Sequence, residues 1–120
     1  MSNCEWCNLS DEDKKYTLYE DEWTDLRLII QRIESCLKAI LGADLCNWTC
    51  LLNNFYKDDN PNPHVHLHCR PRYSKPVVIG DNSYIDEEFA HHYALKKPSK
   101  ITDEDKQNIY VMMKEFLSLN

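Results

Sequence analysis

The sequence predicts an α+β domain in which an antiparallel sheet packs against helices. Two segments, one near each end of the chain, carry apolar residues at the three- and four-residue spacings of amphipathic helices. Between them lie short stretches of two-residue period, separated by polar and proline-containing connections. A length of 120 residues, 42% of them hydrophobic and 11% aromatic, fits one hydrophobic core and argues against a disordered chain.

Residues 1–20 form an N-terminal segment. It begins with CEWC, Cys4 to Cys7, and continues through a polar stretch in which Ser10 and Asp13 have capping-box spacing. The main domain is expected over 21–120. A first helix is predicted to start at Asp21 or Asp25, with Trp23, Leu26, Ile29, Ile30, Ile33, Leu37, Ile40 and Leu41 as its apolar stripe. Gly42 is placed to end it in a left-handed conformation.

Leu45–Phe55 then predicts a strand, with Cys46, Trp48, Cys50 and Leu52 on one face and Asn47, Thr49, Leu51 and Asn53 on the other. KDDNPNP follows as a connection, since Pro61 and Pro63 favour an extended or turning chain. The next segment, HVHLHCRPRY from His64 to Tyr73, has strand period again, and so short a return predicts antiparallel pairing with its predecessor. Lys75–Gly80 offers another short strand. The final helix is predicted after Thr102, whose spacing to Asp105 matches a capping box, with Ile109, Met112, Met113, Phe116 and Leu117 facing inward.

The charge pattern narrows the function classes. Fourteen basic and 20 acidic side chains give a net charge of −6, with acidic clusters at 11–13, 20–22, 58–59, 86–88 and 103–105. Such a surface repels duplex nucleic acid; the one concentrated basic feature, Arg70 with Arg72, suits a small anion better than a long polyanion. No apolar run approaches the roughly 18 residues of a membrane span, and the N-terminus lacks the basic start and apolar core of a secretory signal, so a cytoplasmic protein is expected. In that setting the six cysteines stay reduced, and Cys36, Cys46, Cys50 and Cys69 are expected as small core residues.

His64, His66 and His68 alternate with Val65 and Leu67, which predicts three imidazoles on one strand face. A lone histidine on a strand is ordinarily a solvated side chain. Three in register need hydrogen-bond partners or ligands to order them. Metal binding is one use, because neutral ring nitrogens suit zinc, copper or iron; Asp86, His91 or His92 would have to complete such a site. Nucleophilic attack on phosphorus is another, with one imidazole forming a phosphoramidate while its neighbours orient it and donate to phosphate oxygens. Arg70 and Arg72 provide directed, charged donors for phosphates, or else form ion pairs with the abundant acids. CEWC provides two thiolates at the spacing of half a tetrahedral zinc site, with free thiols and redox chemistry as the alternatives.

The HVHLH motif within NPHVHLHCRPRY resembles the histidine-triad superfamily of nucleotide hydrolases and transferases. The resemblance extends over Asp21 to Tyr93. The glycine and glutamine that precede the histidines in that family are absent, DDNPNP standing in their place, and no GH-containing strand lies upstream; the resemblance therefore implies a shortened or divergent domain.

Carried across, the family mechanism makes His66 the nucleophile at an α-phosphate, forming a nucleotidyl-histidine. His68 would donate to a phosphate or bridging oxygen, and His64 would orient His66 or join a structural zinc with Cys4 and Cys7. Asn53 or Asn54 is similar to the family's positioning asparagine on the preceding strand, and Asn62 stands where a leaving-group donor would be needed. The resemblance implies a nucleotide or nucleotide conjugate, such as a dinucleoside polyphosphate or phosphoramidate, as substrate. It also implies a homodimer and no organic cofactor. The competing readings are a non-catalytic nucleotide-binding or regulatory protein and a metal-dependent hydrolase.

Overall fold

A computed structural model of the chain describes residues 18–92 and 100–120. The CEWC pair and Tyr93 lie outside them. The order of elements is helix α1 (Glu20–Leu41), strand β1 (Leu45–Thr49), a single 3₁₀ turn (Asn53–Lys57), strands β2 (His68–Arg72), β3 (Val77–Ile79) and β4 (Asn82–Tyr84), and helix α2 (Asp103–Leu119). The fold class is α+β, as the sequence predicts. In place of a single sheet there are two small antiparallel ones, β1 with β2 and β3 with β4.

The described residues fall into two compact units. One comprises residues 18–27 with Trp48–Cys69, the other Leu28–Asn47 with 70–92 and 100–120. Every residue buried as a whole among the described ones belongs to the second unit: Cys36, Leu37, Ala43, Val77 and Ile79 form its apolar core, with Arg72 and Asp105 as its buried charges.

Helix α1 ends where Gly42 was expected to end it. Gly42 has φ +70°, which an L side chain adopts only under strain, and its N–H donates to the Lys38 carbonyl at 3.0 Å, an αL cap. Leu26, Ile30, Ile33, Leu37 and Ile40 of the predicted stripe are buried or half-buried, while Trp23 and Ile29 at its margins are exposed. Cys36 is fully buried, and the cost of desolvating a thiolate there pushes its thiol pKa up.

In the second unit β3 and β4 form a hairpin with Val77 opposite Tyr84, Val78 opposite Ser83 and Ile79 opposite Asn82. Gly80, at φ +56°, takes the first turn position. Alternation turns Val77 and Ile79 inward, and α2 packs against β3. Arg32 of α1 donates to the Leu117 carbonyl near the end of α2 at 2.8 Å.

The start of α2 also matches its prediction in part. Thr102 Oγ1 accepts from the Asp105 N–H at 3.1 Å. The carboxylate of Asp105 does not close the box on the Thr102 N–H. It accepts instead from Tyr84 Oη at 2.5 Å and Asn82 Nδ2 at 2.8 Å, while the Thr102 N–H donates to Tyr84 Oη at 3.5 Å. The β4 tyrosine thus stands inside the capping box.

Two strand boundaries differ from expectation. The strand predicted over Leu45–Phe55 stops at Thr49, and Asn53, Asn54 and Phe55 lie on the 3₁₀ turn. Asparagine favours such turns because its side chain competes for backbone groups. The histidine segment also enters the ladder late: residues 61–67 are outside any strand, and only His68 onward is β2. Pro61 and Pro63 have no N–H to give a ladder, and β1 has already ended.

Candidate functional site

The three histidines lie in the first unit, and their rings meet although only His68 stands on a paired strand. His64 and His66 have ring centroids 5.7 Å apart, and His66 and His68 5.1 Å apart, with interplanar angles of 58° and 77°. Successive even positions of an extended chain point the same way, which is the physical content of the HVHLH spacing. Val65 and Leu67 are half-buried, as are His64 and His66, while His68 is exposed.

Backbone carbonyls orient two of the rings. Nδ1 of His66 lies 3.1 Å from the His64 carbonyl oxygen, and Nδ1 of His64 lies 3.3 Å from that of Asn62. A carbonyl only accepts, so each Nδ1 carries the proton and donates. The lone pair of each neutral ring is therefore on Nε2. For His66 this puts a lone pair on Nε2 of a ring whose other nitrogen is held by the chain that carries it.

Phe55 is the neighbour that sequence patterns did not single out. Its ring centroid is 4.7 Å from His64 and 5.4 Å from His66, tilted 58° to the first and nearly perpendicular, at 81°, to the second. It reaches them from the 3₁₀ turn, whose closing bond runs from the Phe55 N–H to the Leu52 carbonyl at 3.1 Å. No motif flags a phenylalanine nine positions before the first histidine.

The other sequence-predicted residues divide. Asn53 and Asn54 are both exposed on the turn rather than placed on a strand. Asn62 is half-buried, and its backbone carbonyl is what holds His64. Arg70 is half-buried on β2. Thr49 Oγ1 is buried and has no hydrogen-bond partner among the described residues. Cys46 and Cys69 are half-buried thiols, whereas Cys50 is exposed and so is not the core residue expected.

Arg72, in the second unit, takes the ion-pair alternative over the phosphate clamp. Only 6% exposed, it donates from Nε and Nη2 to Asp86 at 2.6 and 3.0 Å, from Nη1 to the His91 carbonyl at 2.8 Å, and from Nη2 to the Glu88 carbonyl at 2.5 Å. The planar fork suits this bidentate pairing, which a lysine does not reproduce. The guanidinium, followed by the Tyr73 N–H, holds the Asp86 carboxyl below the usual aspartate range against the opposing effect of burial. The two carbonyls bracket Ala90, which is left-handed at φ +69°. Arg72 thereby fixes a strained turn, and the sequence signal for it, an arginine among acids, is too common to be read in advance.

Beside that turn lies an open depression of about 360 Å³ lined by Leu45, Asn47, Arg72, Ala90, His91 and His92. His91 and His92 are the two imidazole-bearing residues of its lining. Among the described residues no three histidine, cysteine, aspartate or glutamate groups lie close enough to hold a metal ion together. Of the proposed zinc ligands only His64 is described; its open Nε2 and carbonyl-bound Nδ1 suit a metal ligand, but one ligand does not make a centre. No helix among the described residues is long and apolar enough to cross a membrane.

No protein-family model, curated protein or solved structure matches the chain.

Proposed function

We propose that the chain is a divergent histidine-triad protein that cleaves a nucleotide conjugate at its α-phosphate, with His66 as nucleophile. The observation that carries this reading is the placing of the His66 ring between those of His64 and His68, with its Nδ1 held on the His64 carbonyl.

In the first step the Nε2 lone pair of His66 attacks the α-phosphorus. The nitrogen–phosphorus bond forms, the bond to the leaving group breaks, and His68 supplies the leaving group's proton. The imidazole gains positive charge as it is nucleotidylated, and the Nδ1–H bond to a carbonyl stabilises that charge where it develops. In the second step water attacks the phosphorus, its proton passing to His68, the nitrogen–phosphorus bond breaks, and a nucleoside monophosphate leaves. A phosphate-bearing acceptor in place of water makes the same chemistry a nucleotidyl transfer.

A structural zinc on Cys4, Cys7 and His64, a homodimer and a cytoplasmic setting belong to the same proposal, and no step runs through the metal. A nucleotide-binding protein without turnover is the second reading. The exposure of Asn53 and Asn54 on the 3₁₀ turn favours it, because neither stands on the strand from which an asparagine was expected to position the reacting group.

The two are separated by incubating the protein with adenosine phosphoramidate and a diadenosine polyphosphate and measuring adenosine monophosphate. Release that falls at least about a thousandfold in His66→Ala supports catalysis. Binding of both compounds without release supports the second reading.

A further inference from the structure

We propose that Phe55 is a positioning residue for His66, a role that rests on the nucleophilic reading of that histidine. The ring centroids of Phe55, His64 and His66 form a closed triangle with sides of 4.7, 5.4 and 5.7 Å. All three lie in the 4.5–7 Å range in which tilted and edge-to-face aromatic pairs attract. With His68 at 5.1 Å as well, His66 neighbours three rings, and Phe55 is the one that does not come from the histidine segment.

The single hydrogen bond from His66 Nδ1 fixes one point of the ring and leaves the imidazole able to rock about it. A nucleophile needs its Nε2 lone pair aimed, so a second restraint on the ring is required. Phe55 provides it from a separate piece of chain. Among the five residues of the 3₁₀ turn, Asn53, Asn54, Tyr56 and Lys57 are exposed and Phe55 alone is half-buried. The turn thus presents one side chain inward, and that side chain rests on His64 and His66 together.

Edge-to-face packing also depends on the ring rather than on apolar volume alone. Leucine at position 55 remains apolar and fills most of the volume but loses the ring geometry, whereas tyrosine retains the ring. The substitutions Phe55→Leu and Phe55→Tyr therefore separate positioning from core filling.

The test records long-range proton–nitrogen spectra of the histidine side chains at about pH 8, where an ordinary imidazole is neutral. Aromatic contacts between Phe55 and both histidines are followed in the same native sample. Expected are cross-relaxation from the Phe55 ring to His64 and His66, and one Nδ1–H tautomer for His66 in the native protein and in Phe55→Tyr. Phe55→Leu, with its fold checked by circular dichroism, should show averaged tautomers. Its kcat on adenosine phosphoramidate should fall by about tenfold with KM changed less than about twofold.

Absence of the native ring contacts, or mixed tautomers in the native protein, overturns the proposal even if no variant folds. So does a Phe55→Leu protein with native tautomer and native kcat. If the native protein shows the contacts and the single tautomer yet turns over no nucleotide, the nucleophilic reading fails and positioning for catalysis falls with it; ring orientation by Phe55 is then still decided by the spectra of Phe55→Leu.

Discussion

Arg72 gathers four directed bonds: two to the Asp86 carboxylate and one to each of the carbonyls of Glu88 and His91, on either side of the left-handed Ala90. Removing one partner of a buried, hydrogen-bonded pair leaves the other charge and the carbonyls unsatisfied. Arg72→Ala is therefore expected to lower stability by about 3 kcal/mol in urea unfolding, and Arg72→Lys to recover less than half of that. A loss under about 1 kcal/mol would mean that the turn does not depend on the guanidinium. Local sequence leaves this position a choice between clamp and ion pair, because Asp86 is fourteen residues away. His64, His66 and His68 were different. Their two-residue spacing alone specifies a shared face, and the rings do meet.

The elements differ in how far their own sequence determined them. Helix α1 follows from its periodicity and from Gly42, and the N-terminus of α2 from Thr102, because these signals act within a turn of the residue concerned. Strand limits depend on what pairs across, so local period extends β1 past Thr49, starts β2 before His68 and gives no sign of β4. Asp105 shows the same division: its backbone N–H meets Thr102 as the local pattern implies, while its carboxylate bonds to Tyr84 and Asn82 from the hairpin.

Those bonds, Tyr84 first, outweigh the opposing effect of burial and lower the Asp105 pKa below the usual aspartate value. Hydrogen bonds from Ser74 lower that of Asp44, and Arg72 that of Asp86. The folded state therefore holds these protons more weakly than the unfolded state does. Their contribution to stability is full above the unfolded aspartate pKa, about 3.9, and is lost as pH falls through the lower folded values. Denaturant midpoints should be level near neutrality and drop below about pH 4. Asp105→Asn should start lower at pH 7 and show a shallower acid drop; an unchanged acid slope would contradict the assignment.

Across the molecule, burial is uneven. The second unit holds Cys36, Leu37, Ala43, Val77 and Ile79, and the described part of the first holds no buried residue. Amide exchange is accordingly expected to be slowest in the later turns of α1 and in β3, and fast across residues 61–67, which lack ladder bonds. Uniform protection would contradict this distribution. The fold class was readable from periodicity, whereas the division into two small sheets and two units depends on long-range pairing that no local pattern encodes. The candidate site was readable as far as its histidines; Phe55 was not, because its role depends on the turn that brings it back to them.

The claim that His66 is a nucleophile predicts a covalent species, and intact mass after a rapid quench that preserves phosphoramidates detects it directly. Native protein incubated with adenosine phosphoramidate should gain the mass of one adenylyl group, mapped to His66, and His66→Ala should gain none. Monophosphate release with no adduct at any quench time, or an adduct that persists in His66→Ala, would contradict the account.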